Sequence, residues 1–303
     1  MVFDVALSTM WAIGQFQSLA DFFDAGKKLG FTRFELNHAI NSVMLEGLSL
    51  NGTITSIHEP CPADLSAAAL KERNWLISAP DEENRQQGVA AVRRSIDLAH
   101  KLGVHVVIVH PGRVDIDPTL ESTLVNLYHA GKSDQPEYAQ AKERLVTARA
   151  AQAKVNMRSV RRSLIELAEY AARMGVRLGL ENRFHYPEIP LPDELDDLLD
   201  LGCGEVVGYW HDVGHAQVLQ HLGFCTHEEW LRRFAGPQGR VIGVHLHDVV
   251  GLTDHLAAGL GQVDWDMAAR YLPASALRTC EFQSFNSPQE VAAGVKWLVE
   301  KGC

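Results

Sequence analysis

The segment Arg173-Met174-Gly175-Val176-Arg177-Leu178-Gly179-Leu180-Glu181 joins a helix to a strand through one glycine. The helical pattern Val160–Met174 runs into it and stops at Gly175, a C-terminal cap signal. A short apolar run follows, of the kind seen in strands buried on both faces, and it closes on a carboxylate. The same junction recurs as Lys28-Leu29-Gly30-Phe31 and Lys101-Leu102-Gly103-Val104. Reading outward, strands are expected at Phe3–Ser8, Thr32–Leu36, Thr53–His58, Val104–His110, Val176–Asn182, Glu205–Asp212, Arg240–His247 and Ala276–Phe282. Helical patterns alternate with them, including Leu19–Gly30, Val89–Leu102 and Asp193–Leu201. Eight strands alternating with helices fit an α/β (β/α)₈ TIM barrel. An open doubly wound sheet is the alternative, but no G-x-G-x-x-G follows any strand. One irregularity stands out. Residues 112–157 hold a turn-rich piece and then a polar, Ala-rich helical stretch, Glu137–Met157. They are expected to form an insertion after the fourth strand, over the barrel mouth, within a single domain spanning 1–303.

Composition narrows the function. The 303 residues carry a formal net charge of −10 and are 46% hydrophobic, an ordinary globular balance. No apolar run is long enough to span a membrane. Val2-Phe3-Asp4-Val5-Ala6-Leu7 reads as a first strand and not as a signal peptide. The acidic balance disfavours nucleic acid, whose phosphates are held by clustered Lys and Arg. Five cysteines, none in a C-x-x-C pair, argue against a disulfide framework or a thiolate zinc site. The chain is expected in the cytoplasm, and assembly into a homo-oligomer is left open.

Polar residues gather at strand ends, where barrel enzymes place their chemistry. Glu35 and Asn37 end the second strand, His58 the third, His110 the fourth and Glu181 the fifth. Asp212 ends the sixth with His215 beyond it. His245 and His247 end the seventh, Asp254 and His255 follow, and Glu281 ends the eighth. From Glu181 to Asp212, His245 and Glu281 the steps are 31, 33 and 36 residues. One βα unit is about 31 residues, so each arrives at the same height one strand further round. Alternation turns Glu181 away from Leu178 and Leu180. By the same rule His245 and His247 lie opposite Ile242, Val244 and Leu246. A lone strand-end Glu often caps a helix, and a lone inward His is usually a core residue. Glu181, Asp212, His245 and Glu281 in common register instead form a mixed oxygen–nitrogen ligand set. Such a set suits zinc, manganese, cobalt or iron better than magnesium or calcium.

At these residues the chain resembles the xylose isomerase-like TIM-barrel superfamily, over nearly its whole length. The marks are Leu180-Glu181-Asn182-Arg183, His211-Asp212-Val213-Gly214-His215-Ala216, Val244-His245-Leu246-His247-Asp248, His255-Leu256-Ala257-Ala258-Gly259-Leu260-Gly261, Val263-Asp264-Trp265 and Glu281. The superfamily holds sugar isomerases, ketose 3-epimerases, inosose dehydratases and the endonuclease IV group. The epimerase pattern implies one metal on Glu181, Asp212, His245 and Glu281. Glu181 and Glu281 are then also the catalytic pair that moves a proton. Arg183, His215 and His247 are assigned to the substrate. The endonuclease IV pattern implies up to three zinc ions. His58 and His110 join Glu181 on the second, and His215 and His255 join an aspartate on the third. Asp254 departs from that pattern, because it directly precedes His255.

The resemblance thus implies a divalent-metal isomerase or epimerase working through a cis-enediolate, with zinc or manganese in one to three copies. Its substrate is a small carbohydrate: a sugar, a sugar phosphate or a related polyol. The alternative is a multi-zinc phosphodiesterase. The loops after the first three strands, Thr9–Ser18, Asn37–Asn51 and Glu59–Asn84, carry only Lys71 and Arg73 as cations, too few for a duplex. The aromatic loop Arg183–Pro190 suits stacking on a sugar ring as well as on a base. The extra histidines favour the phosphodiesterase, and the shortage of cations favours the isomerase, which is the preferred reading.

Overall fold

The computed structural model describes residues 3–236 and 240–303. Its strands are β1 (Phe3–Ser8), β2 (Phe31–Leu36), β3 (Ile54–His58), β4 (Val106–Val109), β5 (Arg177–Glu181), β6 (Val207–Asp212), β7 (Val241–Leu246), β8 (Asp248–Val250), β9 (Thr253–Leu256) and β10 (Leu277–Cys280). Eight of them close a barrel in the order β1-β10-β7-β6-β5-β4-β3-β2. Every pairing in it is parallel. The expected TIM barrel is what the chain forms. The repeated junction glycines explain its regularity: Gly30, Gly103 and Gly175 have φ of 108°, 69° and 67°, the left-handed cap that lets each helix stop and the chain turn into a strand.

Two apolar layers sandwich the barrel wall. Outward residues such as Val107, Leu178, Leu180, Val244 and Leu246 pack in the main core. Inside, Val106, Ile108, Trp210 and Ile242 form a separate cluster. Glycines make room for it. A Cβ on Gly243 would stand 2.0 Å from Trp210 Cζ3, and one on Gly208 would stand 2.4 Å from Ile242 Cγ2. Simple alternation puts Ile242 outside with Val244, and the structure corrects that. The β6–β7 register jumps from Tyr209↔Val241 to Trp210↔Gly243. This one-residue irregularity turns Ile242 inward, as β-bulges do.

The region after β4 also differs from expectation in one respect. The helical stretch 137–157 and the helix 160–174 are one element, the 39-residue helix Pro136–Met174. Neither proline nor glycine interrupts it between those residues, so nothing forces a break. At 1.5 Å per residue it is about 58 Å long. Its first half packs against the helix Thr119–His129 through Leu124, Tyr138, Ala141 and Leu145, with Tyr186 and Phe224 against the same cluster. Among the described residues, no helix is long and apolar enough to cross a membrane.

Candidate metal centre

Register sets the site. Asp212 pairs with His245 across β6–β7, and Glu181 pairs with Trp210 across β5–β6. Thr279, two residues before Glu281, pairs with His245 across β10–β7. The four strand ends therefore converge: Glu181, Asp212, His245 and Glu281 present ligand atoms all within 4.8 Å of one another. Each is at most 1% exposed. His245 Nδ1 lies 2.7 Å from Glu181 Oε1, 3.2 Å from Glu281 Oε2 and 3.5 Å from Asp212 Oδ2. Asn182 fixes the aspartate: its Oδ1 accepts from Asp212 N at 2.7 Å, and its Nδ2 donates to Asp212 O at 2.9 Å. Asp212 also caps the helix Val213–His221, accepting from His215 N at 2.7 Å.

Glu35, His58, His245 and Glu281 form an overlapping donor group, and two further groups flank this set. His58, His110 and Glu181 form one, with the two imidazole Nε2 atoms 2.6 Å apart and His110 Nε2 2.9 Å from Glu181 Oε2. His215, His247 and His255 form the other. The strands β8 and β9 bring His255 and Asp254 to it. Sequence alone gives that loop no path. Asp254 Oδ2 comes 3.3 Å from His255 Nδ1 and 3.9 Å from His215 Nε2. His255 has a left-handed φ of 60°, costly for a residue with a Cβ. Asn286 holds it, donating from Nδ2 to His255 O at 2.9 Å and accepting from Ala257 N at 2.8 Å.

Every residue proposed from the sequence thus lies in or beside one contiguous site, though not always in the posture expected. Arg183 bonds through Nη1 to Glu181 Oε2 and lies 3.3 Å from Glu188 Oε2, while Lys71 engages Glu188 Oε1. His215 directs Nδ1 at Asn182 O, leaving Nε2 toward the third group. His247 is fully buried and engaged at both ring nitrogens. It accepts from His255 N at 2.9 Å through Nδ1, and Nε2 lies 2.9 Å from Asp212 Oδ1. Those bonds leave it no free nitrogen for a substrate. Three participants were missed. Glu35 Oε1 is 3.2 Å from His245 Nε2; only its strand-end register hinted at a role. His38 lies edge-on to His58 with ring centroids 5.3 Å apart, and Glu188 stands between Arg183 and Lys71. No sequence pattern signals either.

The charges are unevenly balanced. Burial opposes ionisation of Glu181, but Arg183 and His58 outweigh it and hold its carboxyl well below the usual range. Asp212 and Glu281 are likewise buried yet lowered, by His215 and His247 and by His245 and His58 respectively. Burial disfavours the charged form of His58, but Glu181 and Glu281 raise it to about 10. His245 is raised by Glu281 and Glu35 against the same burial. His110 is pushed down by burial and by the Arg183 charge. Glu35, Glu181, Asp212 and Glu281 thus share a buried pocket in which Arg183 is the one permanent cation among the described residues. Imidazolium protons supply the remaining positive charge, and a divalent cation would supply it equally well. A mixed carboxylate–imidazole set of this kind fits such an ion. His255 Nδ1, buried and without a hydrogen-bond partner among the described residues, offers one more open nitrogen.

Comparison with known proteins agrees with this fold. The family model for the xylose isomerase-like TIM barrel matches residues 23–301. None of the curated proteins compared matches the chain by sequence. Among solved structures it is similar to a D-tagatose 3-epimerase-like protein, with a TM-score of 0.68 at 18% identity, covering 98% of this chain and 96% of that one. It is similar to D-psicose 3-epimerase from Clostridium cellulolyticum H10, solved with D-tagatose, with a TM-score of 0.66 at 15% identity and 98% of each chain covered. It is similar to the IOLI protein with a bound zinc atom, with a TM-score of 0.65 at 14% identity, covering 98% and 97%. At such identities these likenesses are of fold.

Proposed function

Because the chain belongs to the xylose isomerase-like TIM-barrel family, we propose that it is a divalent-metal-dependent isomerase or epimerase. Its substrate in this reading is a sugar, sugar phosphate or related polyol, converted through a cis-enediolate in the cytoplasm. The observation that carries the reading is the pair of buried carboxylates, Glu181 and Glu281, at 2.7 and 3.2 Å from the same nitrogen of His245. Glu181, Asp212, His245 and Glu281 would hold the first ion, zinc or manganese. His58 and His110 with Glu181, and His215 and His255, would hold any second and third. Bound there, such an ion supplies Lewis acidity toward a carbonyl and its neighbouring hydroxyl.

The protein's own groups do the rest. Of Glu181 and Glu281, the one that is ionised takes the proton from one face of the substrate carbon, and the other, carrying a proton at that stage, delivers its own from the opposite face. Arg183 holds one oxygen of Glu181 and, with His215 Nε2, faces substrate hydroxyls. His247 orients Asp212 and does not touch the substrate. The 112–157 segment forms a wall of the mouth: Val114 N donates to Pro187 O at 2.8 Å. Arg149 holds the Tyr186 and Glu188 carbonyls from the same wall. The test is a panel of ketoses and ketose phosphates incubated in D₂O with the zinc- or manganese-loaded protein. Deuterium should enter at the carbon beside the carbonyl of at least one of them. A metal-loaded protein that washes deuterium into none refutes the reading.

One observation favours a second reading, a multi-zinc phosphodiesterase: the described residues form four donor groups, three of which share members. The mouth argues against it. Lys71 is bound to Glu188 at 2.7 Å, and Arg73 lies over the Trp75 ring at 4.9 Å, so neither cation of those loops is free. Binding to an abasic duplex should therefore be weak, with a shallow salt dependence. A steep slope, equivalent to about six phosphate contacts, together with strand incision would reverse the preference.

A further inference from the structure

Glu35 has no part in the proposed reaction, yet it is fully buried and aimed into the site. It lies on β2 between Ser8 and Ser56, its partners across β1–β2 and β2–β3. Its two oxygens are both used. Ser56 Oγ donates to Oε2 at 2.7 Å, and His245 Nε2 stands 3.2 Å from Oε1 and 3.3 Å from Oε2. The other nitrogen of that ring, Nδ1, faces Glu181, Asp212 and Glu281. The His245 ring is thus clamped between two carboxylate environments on opposite edges. One edge belongs to the donor quartet and the other to Glu35 alone.

A neutral imidazole carries one ring proton, and its place decides which nitrogen has a lone pair to give. A carboxylate accepts a hydrogen bond and cannot donate one when ionised. We infer that Glu35 is a positioning residue: it accepts the Nε2–H of His245, fixes that tautomer and ring orientation, and so presents Nδ1 as the ligand atom. Ser56 holds Glu35 in place for this task. The inference rests on the reading of the quartet as a metal site. It adds that the first and last thirds of the chain meet there, since Glu35 and His245 are 210 residues apart. Glu35 also lies within ligand distance of His58, His245 and Glu281, so a direct ligand role is the rival to be separated.

Zinc binding to the wild type, Glu35→Gln and Ser56→Ala is measured by competition with a chromophoric chelator. The relevant site is identified as the one lost in Asp212→Ala, because Asp212 belongs to the quartet alone. Glu35→Gln should bind the same number of equivalents with that site weakened about 10- to 100-fold, the usual effect of losing such an outer partner. Ser56→Ala should weaken it less. In ¹⁵N-histidine spectra of the zinc-loaded wild type, His245 should carry its proton on Nε2, slow to exchange, and that proton should exchange faster in both variants. Unchanged affinity in Glu35→Gln overturns the inference. Loss of a whole equivalent overturns it too, because Glu35 is then itself a ligand. So does zinc found on Nε2 with the proton on Nδ1. Should Glu35→Gln not fold, Ser56→Ala decides, and unchanged affinity with unchanged exchange overturns. A wild type that binds no divalent ion fells the metal reading and the inference together, whereas a Glu35→Gln protein as tight as wild type fells only the inference.

Discussion

Glu181 links several parts of the site: Arg183, His110 and His245 all bond to it, and His58 Nε2 is 3.6 Å away. Glu181→Gln and Glu281→Gln should each lower kcat for deuterium wash-in by about 10²- to 10⁴-fold, the range for removing a positioned acid–base group. Arg183→Ala should mainly raise KM. A Glu281→Gln protein with near-normal kcat would remove that residue from proton transfer. A second expectation follows from the histidines. His58, raised to about 10, and His245, raised as well, hold protons at pH 7. A metal ligand must give them up. Zinc uptake at pH 7 should therefore release at least one proton, seen as a buffer-dependent binding enthalpy. The release should shrink as pH rises toward 10, because His58 is then already deprotonated before the ion arrives. A buffer-independent enthalpy would count against these assignments.

Among the elements, the long helix Pro136–Met174 is the one whose fold and function are most directly linked. Its Arg149 is buried, bonds Glu194 through two nitrogens at 2.7 Å each, and donates to Tyr186 O and Glu188 O at 2.8 and 3.1 Å. The helix thereby pins the loop that carries Arg183 and Glu188. Arg149→Met leaves the Glu194 carboxylate without its partner, at a cost of about 3 kcal/mol. Residues 183–190 should then exchange amide hydrogens faster, with KM raised more than kcat is lowered. Unchanged exchange in 183–190 would show that the loop holds itself. At this scale the sequence was clear where structure follows from local chemistry. Gly30, Gly103 and Gly175 end their helices because a left-handed residue is needed there. Glu181, Asp212, His245 and Glu281 share a level because one βα unit has a nearly fixed length. It was unclear where distant contacts decide. Ile242 turns inward because the pairing slips opposite Trp210, and the His255 loop is a hairpin fastened by Asn286. The partnership of Glu35 with His245 spans most of the chain, and no periodicity reports it.

For the whole molecule, the site is a keystone of stability as well as of chemistry. Four buried carboxylates at the mouth of one barrel repel one another, and they are drawn from β2, β5 and β6 and the end of β10. A ligand that binds only the folded protein stabilises it by about 2.7 kcal/mol at a hundred times its Kd. Treatment with a chelator should therefore lower Tm by several degrees, and added zinc or manganese should restore it with a dependence on metal concentration. A Tm indifferent to both would mean that the imidazolium protons balance the carboxylates on their own.

The interior cluster has a use beyond packing. Trp210, fully buried in the barrel, lies edge-on to His245 with ring centroids 5.2 Å apart. An indole emits light, and a protonated imidazole in contact with it quenches that emission, whereas a neutral one does so far less. The barrel thus carries its own optical gauge of what His245 is doing. Zinc, which is diamagnetic, should brighten the tryptophan emission as it displaces the His245 proton. Trp210→Phe should abolish the change while the chain's other indoles remain. A signal that survives in Trp210→Phe would place the gauge elsewhere.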